Sequence, residues 1–185
     1  MTDVGDYLSQ LADVNRHGFG FLLAYGTTWL VAAALWWRLG PRVGAFAALF
    51  QGMVALPLGL GLTALGSVGE RPQDPSMNAV SIYLAMGQLL LLPLAVVLIA
   101  RRHFLLATAF QAVVVAVHFV PYSWLYGTPL FAVMGTVIAV AVTVVVAQQG
   151  RGGSDGESSV QVPGALVCLS VAAPMAFGGV IALLL

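Results

Sequence analysis

The sequence predicts an all-α integral membrane protein that crosses the bilayer six times, with a short amphipathic helix before the first crossing. Of its 185 residues, 60% are hydrophobic and 8% are charged, compared with about 45–50% and about 25% in soluble domains. The apolar residues form six continuous runs rather than an alternating pattern. Because only helices and closed barrels satisfy their own backbone polar groups in hydrocarbon, continuous runs of this length indicate helices.

The first 16 residues predict a short helix at the outer membrane surface. Their apolar side chains recur at helical spacing, with polar residues between them. These apolar residues are Val4, Tyr7, Leu8, Leu11 and Val14. The acidic residues on the polar face disfavour strong attraction to anionic headgroups. We therefore expect an outer flap that rests on the helical bundle, with a loosely ordered tail as the alternative.

Six membrane helices are predicted from the apolar runs that follow. They lie at about 18–37, 41–65, 77–100, 103–121, 128–148 and 162–185. The end of the fourth is the least defined, because Pro121 could either end that helix or bend it. The connecting segments are too short to fold separately, so residues 1–185 are expected to form a single transmembrane domain.

A weak internal repeat suggests how the six helices are arranged. A shift of 60 residues places Arg42 on Arg102 and Gln51 on Gln111. Helices two and four therefore share a pattern, which favours three helical hairpins of the same orientation. Chance matches within an apolar alphabet are the alternative.

The arginines predict the orientation of the bundle. The first, third and fifth gaps between helices contain Arg38, Arg42, Arg101, Arg102 and Arg151. Since positive charge is retained on the cytoplasmic side, both termini should lie outside the cytoplasm. The protein is expected to be a multi-pass protein of the cell (inner) membrane. The first 15 residues lack the features of a signal peptide, so the first membrane helix is expected to act as its own insertion signal.

Several function classes are disfavoured by composition. The net charge is zero and lysine is absent, so there is no basic surface for nucleic acid. The single cysteine, Cys168, excludes an internal disulfide and a multi-cysteine metal site. No catalytic motif, cofactor motif or metal-ligand set is recognisable. An enzyme with His118 as general base is the least favoured interpretation, because no carboxylate is available to orient it. Paired haem ligation by His17 and His118 has no further support.

Polar residues inside the predicted helices are the main functional evidence. No Asp or Glu lies within a predicted span, which argues against an ion-coupled pump. Gln51 and Gln111 lie near the bilayer midplane, about nine residues from their arginines. We expect them to hydrogen-bond to neighbouring helices, with the lining of a polar pathway as the alternative.

The outer half of the bundle contains the predicted ligand site. We expect an outward-facing polar aromatic cavity, with two charged or titratable residues at its mouth. The cavity residues are His118, Tyr25, Tyr83, Gln88, Tyr122 and Trp29, and the mouth residues are Arg16 and His17. A structural role for His118 and an interfacial aromatic belt that includes Tyr122 are the alternatives. Trp36 and Trp37 are expected to form the matching belt at the cytoplasmic interface.

Two segments resemble proteins of a known kind. They read NRHGFGFLLAYG at residues 15–26 and HFVPYSWLYGTP at residues 118–129. Both resemble segments of small multi-pass prokaryotic membrane proteins that are grouped only as a domain of unknown function. The resemblance would span most of the chain, and it implies no activity.

The leading functional prediction is a small-molecule binding or transport protein in the lipid bilayer, not coupled to a carboxylate relay. The alternative is a non-catalytic accessory subunit that docks on a larger membrane partner through faces of small residues. Gly44, Ala48 and Gly52 form one such face on the second helix. Homo-oligomers are common among bundles this small, but no surface patch in the sequence specifies one. No residue pattern identifies the ligand.

Overall fold

A computed structural model of the protein describes residues 4–149 and 157–185, and within them the chain forms helices and no β-strand. The fold class is therefore as predicted. The helices are α1 (Val4–Val14), α2 (Phe19–Leu39), α3 (Pro41–Gly66), α4 (Pro75–Met86), α5 (Leu92–Ala100), α6 (Phe104–Leu125), α7 (Leu130–Gln149) and α8 (Glu157–Leu184). Six spans in the described residues are long and apolar enough to cross a membrane.

The third span is interrupted. The predicted helix at about 77–100 is present as α4 and α5, which are joined by the 3₁₀ segment Gly87–Leu91. Pro93 follows this segment and has no amide hydrogen to donate to the carbonyl four residues earlier. Backbone next to such a position tightens readily into 3₁₀ geometry. The third span is therefore two helices with a narrow junction near its middle.

The fourth span continues through its proline. α6 extends to Leu125, so Pro121 lies inside the helix and does not end it. The chain turns at Gly127, whose φ of 60° is in the left-handed region that favours glycine. The Ser123 hydroxyl accepts a hydrogen bond from the Ala132 amide at 2.7 Å. This bond fixes the start of α7 against the end of α6.

The centre of the bundle is α2, which packs against α3 and α8. Gly26 lies against the backbone of α8 at Ala172 and Ala176, and Gly44 and Gly164 both lie against the indole of Trp36. Small residues allow such close approach of helices. Trp36 is fully buried, whereas Trp37 is 61% exposed. The expectation that Trp36 belongs to an interfacial belt was wrong, because its ring lies inside the bundle against Gly44 and Gly164.

Contacts between helix ends define the two ends of the bundle. At the end that we call the arginine-rich end, with Arg38 and Arg101, the Gln161 amide nitrogen donates to the Trp37 carbonyl at 2.7 Å. At the opposite end, which we call the α1 end, the Val68 amide donates to the Val14 carbonyl at 3.2 Å. Arg151 lies outside the described residues. The helices thus alternate in direction along the chain, as in successive hairpins.

Candidate functional site

An aromatic cluster lies at the α1 end, where α6 ends and α7 begins. His118, Tyr122 and Tyr126 are four residues apart, so they share one face of α6 and its C-cap. The ring centroids of His118 and Tyr122 are 4.8 Å apart, and those of Tyr122 and Tyr126 are 6.1 Å apart. Phe131 of α7 stacks on Tyr126 at 5.3 Å. The cluster therefore joins two helices through rings that also carry polar atoms.

Tyr126 connects this cluster to the outer surface. Its hydroxyl shares a hydrogen bond with the Asn15 side chain, and Tyr7 and Arg71 lie near enough to affect its ionisation. Burial raises the pKa of Tyr126 to about 12, although the Asn15 bond and the Arg71 charge act in the opposite direction. Its ring also lies against Gly18, where a Cβ would be 3.2 Å from the ring. Tyr126 therefore lies beneath the segment that joins α1 to α2.

A second polar group lies deeper, between α2 and α3. The Thr28 hydroxyl donates to Gln51 Oε1 at 2.7 Å and also lies 3.0 Å from the Tyr25 carbonyl oxygen. The Tyr25 hydroxyl lies close to α3, where a Cβ on Gly52 would be 3.8 Å away. Tyr25 lies on the side of α2 toward Tyr122 of α6, although these two side chains share no hydrogen bond in the described residues. The deep group and the aromatic cluster are therefore neighbours without a direct contact.

Together these side chains form what we call the polar row, which runs from the α1 end of the bundle to about its middle. Its members in order are Asn15, Tyr126, Tyr122 with His118, Tyr25, Thr28 and Gln51. Within residues 4–149 and 157–185, the Tyr122 hydroxyl and the His118 imidazole form no hydrogen bond, and both residues are half-buried. Polar groups in an apolar environment are costly unless something pairs with them.

Three of the predicted cavity residues lie away from the polar row. Trp29 is fully buried in the helical core, and its indole nitrogen has no hydrogen-bond partner among the described residues. Tyr83 is 73% exposed on α4, which makes little contact with α2 or α6. Gln88 is half-buried in the 3₁₀ segment of the third span. The structure thus brings together Tyr25, Tyr122 and His118 from the predicted set.

The predicted mouth residues lie at the entrance to α2, and the two glutamines differ from each other. Arg16 is exposed, and His17 is half-buried with an Nδ1 atom that has no partner in the described part of the chain. Gln51 bonds across to α2, as expected of a midplane amide. Gln111 instead donates to the Ala107 carbonyl of its own helix at 3.3 Å. The shared sequence pattern of these two glutamines therefore does not give them the same contacts.

Three members of the row, Asn15, Thr28 and Tyr126, are absent from the residues that the sequence predicts to contact the ligand. For Tyr126 a signal was available, because positions 118, 122 and 126 are spaced by four residues and share a helix face. Asn15 and Thr28 gave no comparable signal, since their partners lie on other helices.

An apolar groove lies elsewhere on the bundle, between α7 and α8. Its volume is about 330 Å³, and Val137, Pro174 and Phe177 are among the residues that line it. Its walls are almost entirely hydrocarbon, so in a membrane it faces the lipid. This groove is separate from the polar row.

The fold and the row define a class: a helical membrane protein of six spans with a file of neutral polar side chains in one half. Residues 5–155 match the model of a family of unknown function, DUF7010. The chain belongs to that family, and the resemblance to multi-pass membrane proteins of unknown function is confirmed. No curated protein matches the chain, and no solved structure matches it.

Proposed function

We propose that the protein binds small, uncharged polar molecules at the polar row and transports them. The observation that supports this most directly is the file of neutral polar groups from the α1 end to the middle of the bundle, with Tyr122 and His118 unpaired. A helix bundle that only had to be stable in lipid would gain by replacing the two unpaired groups with apolar ones. Their presence is accounted for by a ligand that pairs with them.

The chemistry of the row favours a neutral ligand. Tyrosine and threonine hydroxyls both donate and accept hydrogen bonds, and the Gln51 amide and the His118 imidazole do the same. Such groups suit hydroxyl or amide groups on a solute. None of the row residues carries a carboxylate or an ammonium group, so a charged solute would lose its hydration without gaining a counter-ion. The proposed ligand class is therefore small polyols and amides.

The arginines support an orientation for this site. Arg38, Arg42, Arg101 and Arg102 lie at the end away from α1. Retention of positive charge in the cytoplasm would place the α1 end outside. We therefore propose that the row opens toward the outer surface of the cell membrane and that both termini lie on that side.

The test is solute flux through the purified protein in liposomes, with glycerol and urea as the two probes. We expect both to equilibrate faster than in protein-free liposomes, as measured by the recovery of vesicle volume after osmotic shock. His118→Ala removes one hydrogen-bonding group and should slow this flux about fivefold, the effect of roughly 1 kcal/mol. His103→Ala is the matched control, since His103 is exposed at the arginine-rich end. Flux no faster than in empty liposomes, or flux unchanged by His118→Ala, would refute the proposal.

A second candidate is an accessory subunit of a larger membrane complex. The observation that favours it is the loose packing of the third span: α4 makes little contact with other helices, and Leu90 in the junction is 82% exposed. A span of this kind leaves a long apolar surface for another membrane protein. In that case the purified protein alone would transport neither glycerol nor urea. It would instead copurify with one specific partner, and Leu90→Trp would disrupt this association.

A further inference from the structure

The N-terminal helix α1 lies across the outer end of the polar row. Its inner face is buried through Tyr7, Leu11, Ala12 and Val14. The residue that follows it, Asn15, bonds to Tyr126 at the top of the row. In this position α1 separates Tyr126 and the groups below it from the outer surface.

The segment that joins α1 to α2 has an unusual backbone. Arg16, His17 and Gly18 have φ angles of 43°, 49° and 74°. These lie in the left-handed region, which residues with a Cβ avoid because of steric conflict with the backbone. Two successive non-glycine residues in this region are strained, and such strain persists only where surrounding contacts impose it. The position of α1 is therefore maintained against a backbone that favours another conformation.

The polar ties that hold α1 in place are few and long. The Tyr7 hydroxyl lies 3.4 Å from Asn78 Oδ1 of α4. The Val14 carbonyl accepts from the Val68 amide at 3.2 Å. Bonds of this length are at or beyond the outer limit of the usual range and contribute little. The burial of its apolar face therefore holds α1 in place against this backbone strain, with little help from hydrogen bonds.

We propose that α1 is a lid, hinged at Arg16–Gly18, that closes the polar row in the structure described and opens to admit the ligand. The proposal rests on the proposed function, because it supposes that the row receives a solute. Opening would relax Arg16 and His17, break the Asn15 bond to Tyr126 and expose the row to water. Closing would exclude water from the bound solute.

The hinge predicts opposite effects for two substitutions. Gly18→Ala puts a Cβ at a φ of 74° and 3.2 Å from the Tyr126 ring, so it should favour the open position. Arg16→Gly removes the steric cost of a φ of 43°, so it should favour the closed one. The reporter is Thr28→Cys in a Cys168→Ala background, labelled in lipid nanodiscs by a membrane-impermeant methanethiosulfonate reagent. We expect labelling about fivefold faster with Gly18→Ala and about fivefold slower with Arg16→Gly.

Two control substitutions make the same backbone changes away from the hinge. Gly40→Ala adds a Cβ at a φ of 88° where no atom lies within 4 Å. Arg102→Gly relieves a φ of 62° at the arginine-rich end. Neither should change the labelling rate. If Gly18→Ala does not fold, the labelling rate of Arg16→Gly still tests the lid, because a less strained hinge is not expected to impair folding.

The outcomes distinguish a failure of the lid proposal from a failure of the proposed function of the polar row. Labelling at the same rate with both hinge variants and the parent protein would overturn the lid and leave the row as a water-accessible site. Absence of labelling in every variant would overturn both, because neither position of α1 would then admit water to Thr28. Faster labelling with Gly18→Ala and slower labelling with Arg16→Gly, with the controls unchanged, would support the lid.

Discussion

Gly135 is the position where the packing of α6 against α7 leaves the least room. A Cβ at this position would lie 2.6 Å from the carbonyl oxygen of Ala116 on α6. The obstacle is backbone rather than the flexible end of a side chain, so it cannot rotate away. Ordinary contact begins near 3.4 Å, and α7 would therefore have to retreat by about 0.8 Å in Gly135→Ala, on the order of the shifts that overpacking produces.

The cost of this change follows from two opposing effects. Overpacking against backbone costs about 2–3 kcal/mol, and replacing glycine by alanine in a helix returns about 0.5–1 kcal/mol. A net loss of about 1–2 kcal/mol is expected for Gly135→Ala. Gly61→Ala is the matched control, because a Cβ on Gly61 has no atom within 4 Å. This variant should keep only the helix-forming gain of about 0.5–1 kcal/mol.

Reversible unfolding in mixed detergent, monitored by tryptophan fluorescence, would measure both free energies of unfolding. We expect the free energy of unfolding of Gly135→Ala to be about 2–3 kcal/mol lower than that of Gly61→Ala. The same retreat of α7 would move Phe131 away from Tyr126, so the flux of glycerol and urea should slow as well. Equal stability of the two alanine variants would refute the reasoning, because it would mean that the two helices do not approach each other as closely as described.

Two further predictions concern the polar row. Thr28→Val removes the hydroxyl that bonds to Gln51 across α2 and α3 and should lower the free energy of unfolding by about 0.6–1.7 kcal/mol. Thr27→Val is the control and should cost less, because the Thr27 hydroxyl bonds only within α2. An equal cost for the two variants would contradict the interhelical bond. Burial raises the pKa of Tyr126 to about 12. The stability that the protein gains by keeping this tyrosine neutral is therefore fully present below the unfolded pKa of about 10 and is lost as the pH rises toward 12. Spectrophotometric titration should show a late tyrosinate step that Tyr126→Phe removes, and a titration unchanged by Tyr126→Phe would contradict the burial of that hydroxyl.

The fold was predictable because hydrocarbon imposes a simple rule on sequence. A run of about 20 apolar residues has almost no other stable conformation in a bilayer, so the six spans followed from composition alone. It was harder to predict which side chains of each span face the interior of the bundle. Trp36 and Trp37 are adjacent in sequence, but one is fully buried and the other is 61% exposed. The difference arises from Gly44 and Gly164 on other helices, whose positions relative to α2 no periodicity encodes.

The candidate site shows the same division between local and long-range information. His118 and Tyr122 lie on one face of α6 because of their spacing, and that spacing is visible in the sequence. The proximity of Tyr25 to Tyr122 depends on how α2 and α6 are placed in the bundle. Tyr83 and Tyr25 are both predicted to line the cavity, but Tyr83 lies on a span that makes little contact with the others. Depth in the membrane can be inferred from sequence, whereas the direction that each helix faces depends on its neighbours.

The position of the family match bears on where a shared function would be found. The match covers residues 5–155. This range includes every residue of the polar row and the hinge and all of α1 except Val4, but it does not include α8. α8 nevertheless packs along α2, from Trp36 near one end to Leu22 near the other. Its contribution to the bundle is therefore to support α2, while the polar groups come from the matched segment. If the row is the functional site of the family, substitutions in α8 should change stability more than ligand binding, and substitutions at Tyr122 or His118 should do the reverse.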